Sequence, residues 1–187
     1  IMRKLILIAT ALFCTAFSLP TLAESKDQQR AEIRTASQAI LNKLYKVQPA
    51  SRGVIANAAG YGVFSNFGMK IFVAGGGTGH GMVVDNATRK ETFMKMAEVQ
   101  AGLGFSIKKT QVVFVFENEG ALRQFVSSGW EFGAQATAAA SDGKSGMAYQ
   151  GAASVSPGVW MYQLTDKGLA AEITAKGTKY YRNDELN

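Results

Sequence analysis

From Ser25 to Val47 the apolar residues fall at helical spacing. Ile33, Ala36, Ile40, Leu44 and Val47 recur at steps of three, four, four and three, which draws one apolar stripe along a helix. Ser25 is the expected N-cap and Pro49 the stop. The flanks carry Lys26, Arg30, Arg34, Lys43 and Lys46 against Glu24, Asp27 and Glu32. A second, short helix is expected from Ser51 to Ala59, ended by Gly60. Beyond Gly60 the period drops to two. Tyr61 to Ser65, Met69 to Ala74, Met82 to Asp85, Leu103 to Ile107 and Gln111 to Glu117 read as strands. Val112 to Phe116 is apolar on both faces, the mark of a central strand covered on both sides. Gly120 to Ser127 reads as a short helix, Trp130 to Ala140 as extended chain, and Asp142 to Gly146 as a turn. Val159 to Leu164 then pairs, through the turn Thr165 to Gly168, with the alternating run Leu169 to Lys176. Helices first and strands after predict an α+β fold with a mostly antiparallel sheet.

Glycine placement sharpens that picture. Gly75, Gly77, Gly79 and Gly81 lie two apart, so in one extended strand all four share a face. Gly60/Gly62 and Gly102/Gly104 repeat the spacing. Bare stripes let strands coil tightly or let another backbone lie close. The expectation is a strongly curved, barrel-like sheet with the amphipathic first helix packed on it. A glycine-floored groove able to hold an acyl chain is compatible with that arrangement.

The first residues set the expected compartment. Arg3 and Lys4 form a basic start, Leu5 to Phe17 is uncharged and mostly apolar, and Pro20 leads to the small-residue end Thr21-Leu22-Ala23. This is the layout of a cleavable signal peptide over residues 1–23, leaving a single domain over 24–187 in the periplasm or outside the cell. The only cysteine, Cys14, sits in the apolar run behind the large Phe13, which does not suit lipidation. Disulfide and thiolate chemistry are therefore not expected in residues 24–187. The whole chain carries a net charge of +6, two units of which lie in the signal peptide. A mildly basic, unclustered balance suits an anionic membrane surface but not nucleic acid.

Candidate chemistry is sparse. The residue after Gly81 is Met82, so the run from Gly75 is no Walker A loop, and G-x-G-x-x-G fails because its third glycine would fall on His80. His80 is the single histidine. A zinc site would then rest on carboxylates, and no G-x-S-x-G elbow presents a serine to it. Neither an enzymatic activity nor a cofactor is expected. Arg89, Lys90, Lys95, Lys108 and Lys109 fall in or beside predicted turns. Each alone reads as a solvated charge. Together with the first helix they can form a membrane-facing surface, worth about 1 kcal/mol per basic residue near anionic lipid. The helix stripe equally suits a cover for the sheet.

An ordered set of segments completes the reading: Ala59-Gly60-Tyr61-Gly62-Val63-Phe64, Phe72 to Gly81, Ala101-Gly102-Leu103-Gly104, Val112 to Phe116 and Ser128-Gly129-Trp130-Glu131-Phe132-Gly133. From about Ala31 to the C-terminus the chain resembles the SYLF-domain family, in its bacterial exported branch. The resemblance implies a non-catalytic lipid-binding module. Eukaryotic relatives associate with phosphoinositide-bearing membranes partly through a basic amphipathic N-terminal helix, and some regulate actin. The matching segment is Ser25 to Val47, so Arg30, Arg34, Lys43 and Lys46, with Lys108 and Lys109, are the expected lipid-binding residues. Gly75, Gly77, Gly79 and Gly81 are the expected groove. The signal peptide makes an anionic phospholipid or membrane surface of the envelope the expected partner, in place of actin or phosphoinositide. The segment after the glycine run, Arg89 to Met96, lacks the tryptophan and proline of the family pattern. The alternative is an envelope module that docks a protein partner through the first helix or the sheet.

Overall fold

The structure is a computed structural model. It describes residues 25–71, 74–101, 106–132, 149–170 and 177–187. The expected signal peptide, the segments 103–105 and 133–140, the turn at 142–146 and the alternation over 171–176 lie outside those residues.

The first helix, α1, spans Lys26–Val47. The Ser25 hydroxyl accepts from the Gln28 amide at 3.1 Å, and Asp27 adds negative charge to the first turn. The helix stops where Gln48 closes onto the Leu44 carbonyl, one residue before Pro49. Its buried stripe is Ile33, Ser37, Ile40, Leu41 and Leu44. Ala36 is exposed and Val47 is 44% exposed, so both leave the expected stripe. Ser37 and Leu41 take their places, because the sheet contacts the side of the helix that they occupy. The short helix α2, Ser51–Asn57, follows and buries Ile55.

The strands run β1 (Gly60–Ile71), β2 (Ala74–Asp85), β3 (Glu91–Ala101), β4 (Ser106–Phe116), β5 (Trp130–Phe132), β6 (Ala153–Ser156), β7 (Val159–Thr165), β8 (Gly168–Leu169) and β9 (Thr178–Arg182), with α3 (Glu119–Ser128) between β4 and β5. All described pairings are antiparallel, and the order is β5-β9-β3-β2-β1-β4-β7-β6 with β8 on β7. Tyr61 to Ser65 and Met69 onward are one strand rather than two. Asn66 looks like a breaker between them, but its amide is satisfied within the sheet: it donates to Glu98 and accepts from the Thr110 amide at 3.1 Å. Strand β3 was not expected, since its Glu, Met, Lys and Ala are helix formers. Pairing with β2 and β9 overrides that preference and buries Phe93, Met94 and Met96.

The sheet curls. Phe114 on β4 and Tyr180 on β9 are separated by three strands, which in a flat sheet would put them roughly 19 Å apart. Their ring centroids lie 5.1 Å apart. The concave side is thus a closed aromatic core of Phe64, Phe114, Phe116, Phe125 and Tyr180, joined by Met94 and Met96 and capped by α3. On the convex side α1 and α2 bury Val63, Val113, Val115, Tyr162 and Leu164 near one end and Met82, Val84 and Phe93 near the other. Strand β4 is covered on both faces, as its double-sided apolar run predicts, with Val112 to Phe116 at most 1% exposed. The fold is α+β, a helix laid on a half-barrel.

The glycine stripe faces the concave side and permits the curl. At Gly81 a Cβ would collide with the Val63 carbonyl oxygen and meet the Phe64 ring at 2.5 Å; at Gly79 it would collide with the Ser65 carbonyl oxygen. The strand closes on β1 more tightly there than a side chain would allow.

A cationic cleft between the first helix and the sheet

The β2–β3 turn is built around Asp85. Its carboxylate accepts from the Ala87 and Thr88 amides, both at 2.9 Å, and those bonds, the Thr88 amide foremost, hold its pKa below the usual range. The Asp85 carbonyl accepts from the Arg89 amide at 2.8 Å, and Asn86 ties the turn to α2 by donating to the Ile55 and Ala58 carbonyls at 2.8 and 2.9 Å. Arg89 is thereby held at φ 61°, the only positive φ among described residues other than glycine.

Opposite that turn lies α1. Arg34 donates through Nε to Glu91 at 2.8 Å and stacks over Phe93, with Cζ 5.2 Å from the ring centroid. Between Arg34 and Arg89 opens a cleft of about 640 Å³ with a floor of Leu41, Met82, Val84 and Tyr61. Burial raises the Tyr61 hydroxyl pKa, the Arg89 charge pulls it back, and Glu91 adds to the rise. Glu91 lines the cleft too and is matched by Arg34, so Arg89 supplies the net positive charge over the apolar floor, an arrangement that suits an amphipathic anion.

The structure divides the expected basic set. Arg30 is occupied by Asp27 at 2.7 Å and the Leu186 carbonyl at 2.8 Å. Lys43 donates to Gln111 at 3.2 Å. Through the strand register Glu91 lies on the rung of Tyr61 and Gln111 on that of Ser65, so the Arg34 and Lys43 anchors are roughly 13 Å apart along the sheet. These three side chains fasten α1 across the sheet. Lys46 and Lys109 are exposed. Lys108 and Lys109 sit inside β4, and Lys95 inside β3, not in the turns expected for them, because both strands extend farther than their apolar centres. Lys108 pairs in register with Gly68.

Of the groove glycines, Gly75 opposes Lys70 and Gly77 opposes Gly68, while Gly79 and Gly81 oppose Asn66 and Phe64. Asn66 and the Phe64 ring occupy the space beside the last two. Arg89, Met82 and Val84 are the cleft residues that periodicity alone did not gather. Their signal was the Asp-Asn turn followed by an exposed arginine, which read as a solvated charge. His80 is exposed on β2, and among the described residues no three His, Cys, Asp or Glu side chains come together to hold a metal. No described helix is long and apolar enough to cross a membrane.

Residues 97–187, from the end of β3 to the C-terminus, match the family described as Ysc84: Las17-binding protein actin regulator. Over those residues the chain is similar to a SYLF, or Ysc84-type, domain. It is also 28% identical over 159 residues to Beta cell expansion factor A of Aeromonas veronii. That alignment takes in 85% of this chain and 59% of the relative, so the chain spans somewhat over half the relative's length. The matched segment supplies β4, α3, β7 and β9, part of the wall of the aromatic core; Phe64, Met94 and Met96 of that core, the helix that carries Arg34 and the turn that carries Arg89 precede it. That likeness supports a lipid-binding or protein-interaction role.

Proposed function

We propose that this chain is an exported, non-catalytic envelope protein of the SYLF family that binds anionic phospholipid at a membrane surface, with the α1–β2–β3 cleft as its contact. The observation that carries this reading is Arg89 above the apolar floor of Leu41, Met82 and Val84, facing an Arg34 that Glu91 already matches. The positive-φ arginine supports it: a strained residue held by an Asx turn and two ties to α2 points to a role for its side chain. Lys46 and Lys109 supply further unengaged charge on exposed surface.

Co-sedimentation with anionic and zwitterionic vesicles at two salt concentrations tests it. Binding is expected to be selective for anionic vesicles and to weaken with salt. Arg89→Glu exchanges an attraction of about 1 kcal/mol for a repulsion of similar size, a loss on the order of 30-fold. Binding unchanged by Arg89→Glu and Lys46→Glu together would refute the cleft as the contact. Absence of binding to every vesicle would refute the lipid reading. A protein partner is the second reading, favoured by Val99 (70% exposed) and Tyr181 (38% exposed), which lie on the convex face beside the uncovered part of β3.

A further inference from the structure

One hydroxyl in the arginine cleft is left without a partner by the fold. Ser37 sits one turn past Arg34 on α1, lines the cleft and is 5% exposed. A helical hydroxyl commonly satisfies itself on the carbonyl four residues back. Thr35 does so on Ala31 at 2.9 Å, and Ser127 on Arg123 at 2.8 Å. Ser37 makes no such bond, nor any other hydrogen bond among the described residues. Its hydroxyl is not sealed in either. Among the described residues, the unpaired side-chain polar atoms shut off from solvent are the Tyr162 and Tyr180 hydroxyls and Asn183 Oδ1. The small open part of Ser37 therefore includes its hydroxyl, and the space it opens onto is the cleft.

Tyr61 repeats the situation from the side of the sheet. It lies on the rung of Val84 and Glu91, and its hydroxyl has no hydrogen bond among the described residues. Burial, foremost, raises its pKa, so the hydroxyl keeps its proton at neutral pH and can donate as well as accept. The charged lining of the cleft is Arg34, Arg89 and Glu91, two positive charges against one negative, a net +1. Arg34 and Glu91 match each other at 2.8 Å, which leaves Arg89. One unmatched cation suits a phosphodiester, which is a monoanion. A phosphomonoester, close to doubly charged at neutral pH, brings more negative charge than the cleft offsets. An ammonium on the headgroup finds no free carboxylate, since Glu91 is taken by Arg34. Two unpaired neutral hydroxyls suit neutral hydroxyls on the ligand.

We infer that the cleft selects a phosphodiester monoanion that carries an uncharged polyol, with Arg89 on the phosphate and the Ser37 and Tyr61 hydroxyls on the polyol. The same polar chemistry occurs in a phosphatidylglycerol headgroup and in soluble glycerophosphoglycerol. The apolar floor of Leu41, Met82 and Val84 favours the lipid, whose acyl chain it can meet. The inference deepens the lipid reading and rests on it for the source of the ligand.

Vesicles with the same mole fraction of phosphatidylglycerol or of phosphatidylserine in phosphatidylcholine carry equal net charge, and co-sedimentation of the protein with each is the test. Phosphatidylglycerol vesicles should bind at least about threefold more tightly. Ser37→Ala and Tyr61→Phe each remove one hydroxyl and nearly conserve shape. With folding checked by circular dichroism, each should weaken binding to phosphatidylglycerol by about three- to tenfold and leave binding to phosphatidylserine unchanged. Equal binding of the two vesicle types, or phosphatidylglycerol binding unchanged in both variants, would overturn the inference while the anionic-lipid reading stands. An equal fall on both vesicle types would also overturn it, because it would mark a loss of α1 docking. If no anionic vesicle binds, the lipid reading falls and calorimetric titration with glycerophosphoglycerol decides this one. One-to-one binding weakened in both variants supports a soluble ligand, and no binding at millimolar ester overturns the inference as well.

Discussion

Replacing Gly81 by alanine adds one methyl group at the point where β2 closes on β1. That methyl would collide with the Val63 carbonyl oxygen and sit 2.5 Å from the Phe64 ring. Neither neighbour can yield cheaply. The Val63 carbonyl belongs to the ladder, and Phe64 is fully buried between Tyr180, Phe114 and Phe125, with centroids at 4.8, 5.8 and 6.0 Å. Overpacking costs about 1–3 kcal/mol, and forcing the ring off its rotamer adds about 0.5–1.5 kcal/mol. The expected loss is about 3 kcal/mol, which for a chain of this size lowers Tm by about 6–12 °C. Gly53→Ala is the internal control. A Cβ there meets nothing within 4 Å on α2, so it should gain about 0.5–1 kcal/mol. Urea unfolding followed by circular dichroism measures both. A Gly81→Ala protein within about 0.5 kcal/mol of wild type would refute the claim that the glycine stripe permits the curl.

Two further outcomes follow from local chemistry. Arg89→Gly should relieve the left-handed conformation and raise stability by about 1 kcal/mol while weakening vesicle binding, a trade read from thermal melts and co-sedimentation on the same protein. Tyr149 stacks on Trp160 with centroids 4.4 Å apart, and burial foremost, then the Glu117 charge and hydrogen bond, pushes its pKa up to about 12. The folded value lies above the unfolded value of about 10, so the stability it contributes is complete below that pH and is lost as pH rises towards 12. Tyrosinate absorbance should show several late-titrating groups, since burial raises Tyr45, Tyr61, Tyr162 and Tyr180 as well, and Glu117→Gln should move one of them, Tyr149, to lower pH.

Much of the fold was legible because its signals are local. Ser25 and Pro49 bracket α1 by cap and stop chemistry, and the double-sided apolar run of β4 announced a strand covered twice. The even spacing of four glycines pointed to curvature, which the Phe114–Tyr180 contact displays. Strand β3 was hidden because its residues favour helix and only its partners β2 and β9 hold it extended. The short strands β6 and β9 carry too few residues for a period to show. The cleft was less legible than the fold. Its residues come from α1, β1, β2, the β2–β3 turn and the start of β3, and Arg34 and Arg89 stand 55 positions apart in the chain. The expected basic stripe dissolved for the same reason: Arg30, Arg34 and Lys43 each found a partner on the body that α1 crosses.

The most direct test of the account is hydrogen–deuterium exchange of the intact protein with and without anionic vesicles. Lipid contact at the cleft predicts added protection in α1 and in the 85–91 turn, reversed by high salt, with the β4 core unchanged. Protection confined to other segments, or none at all with vesicles in excess, would contradict it.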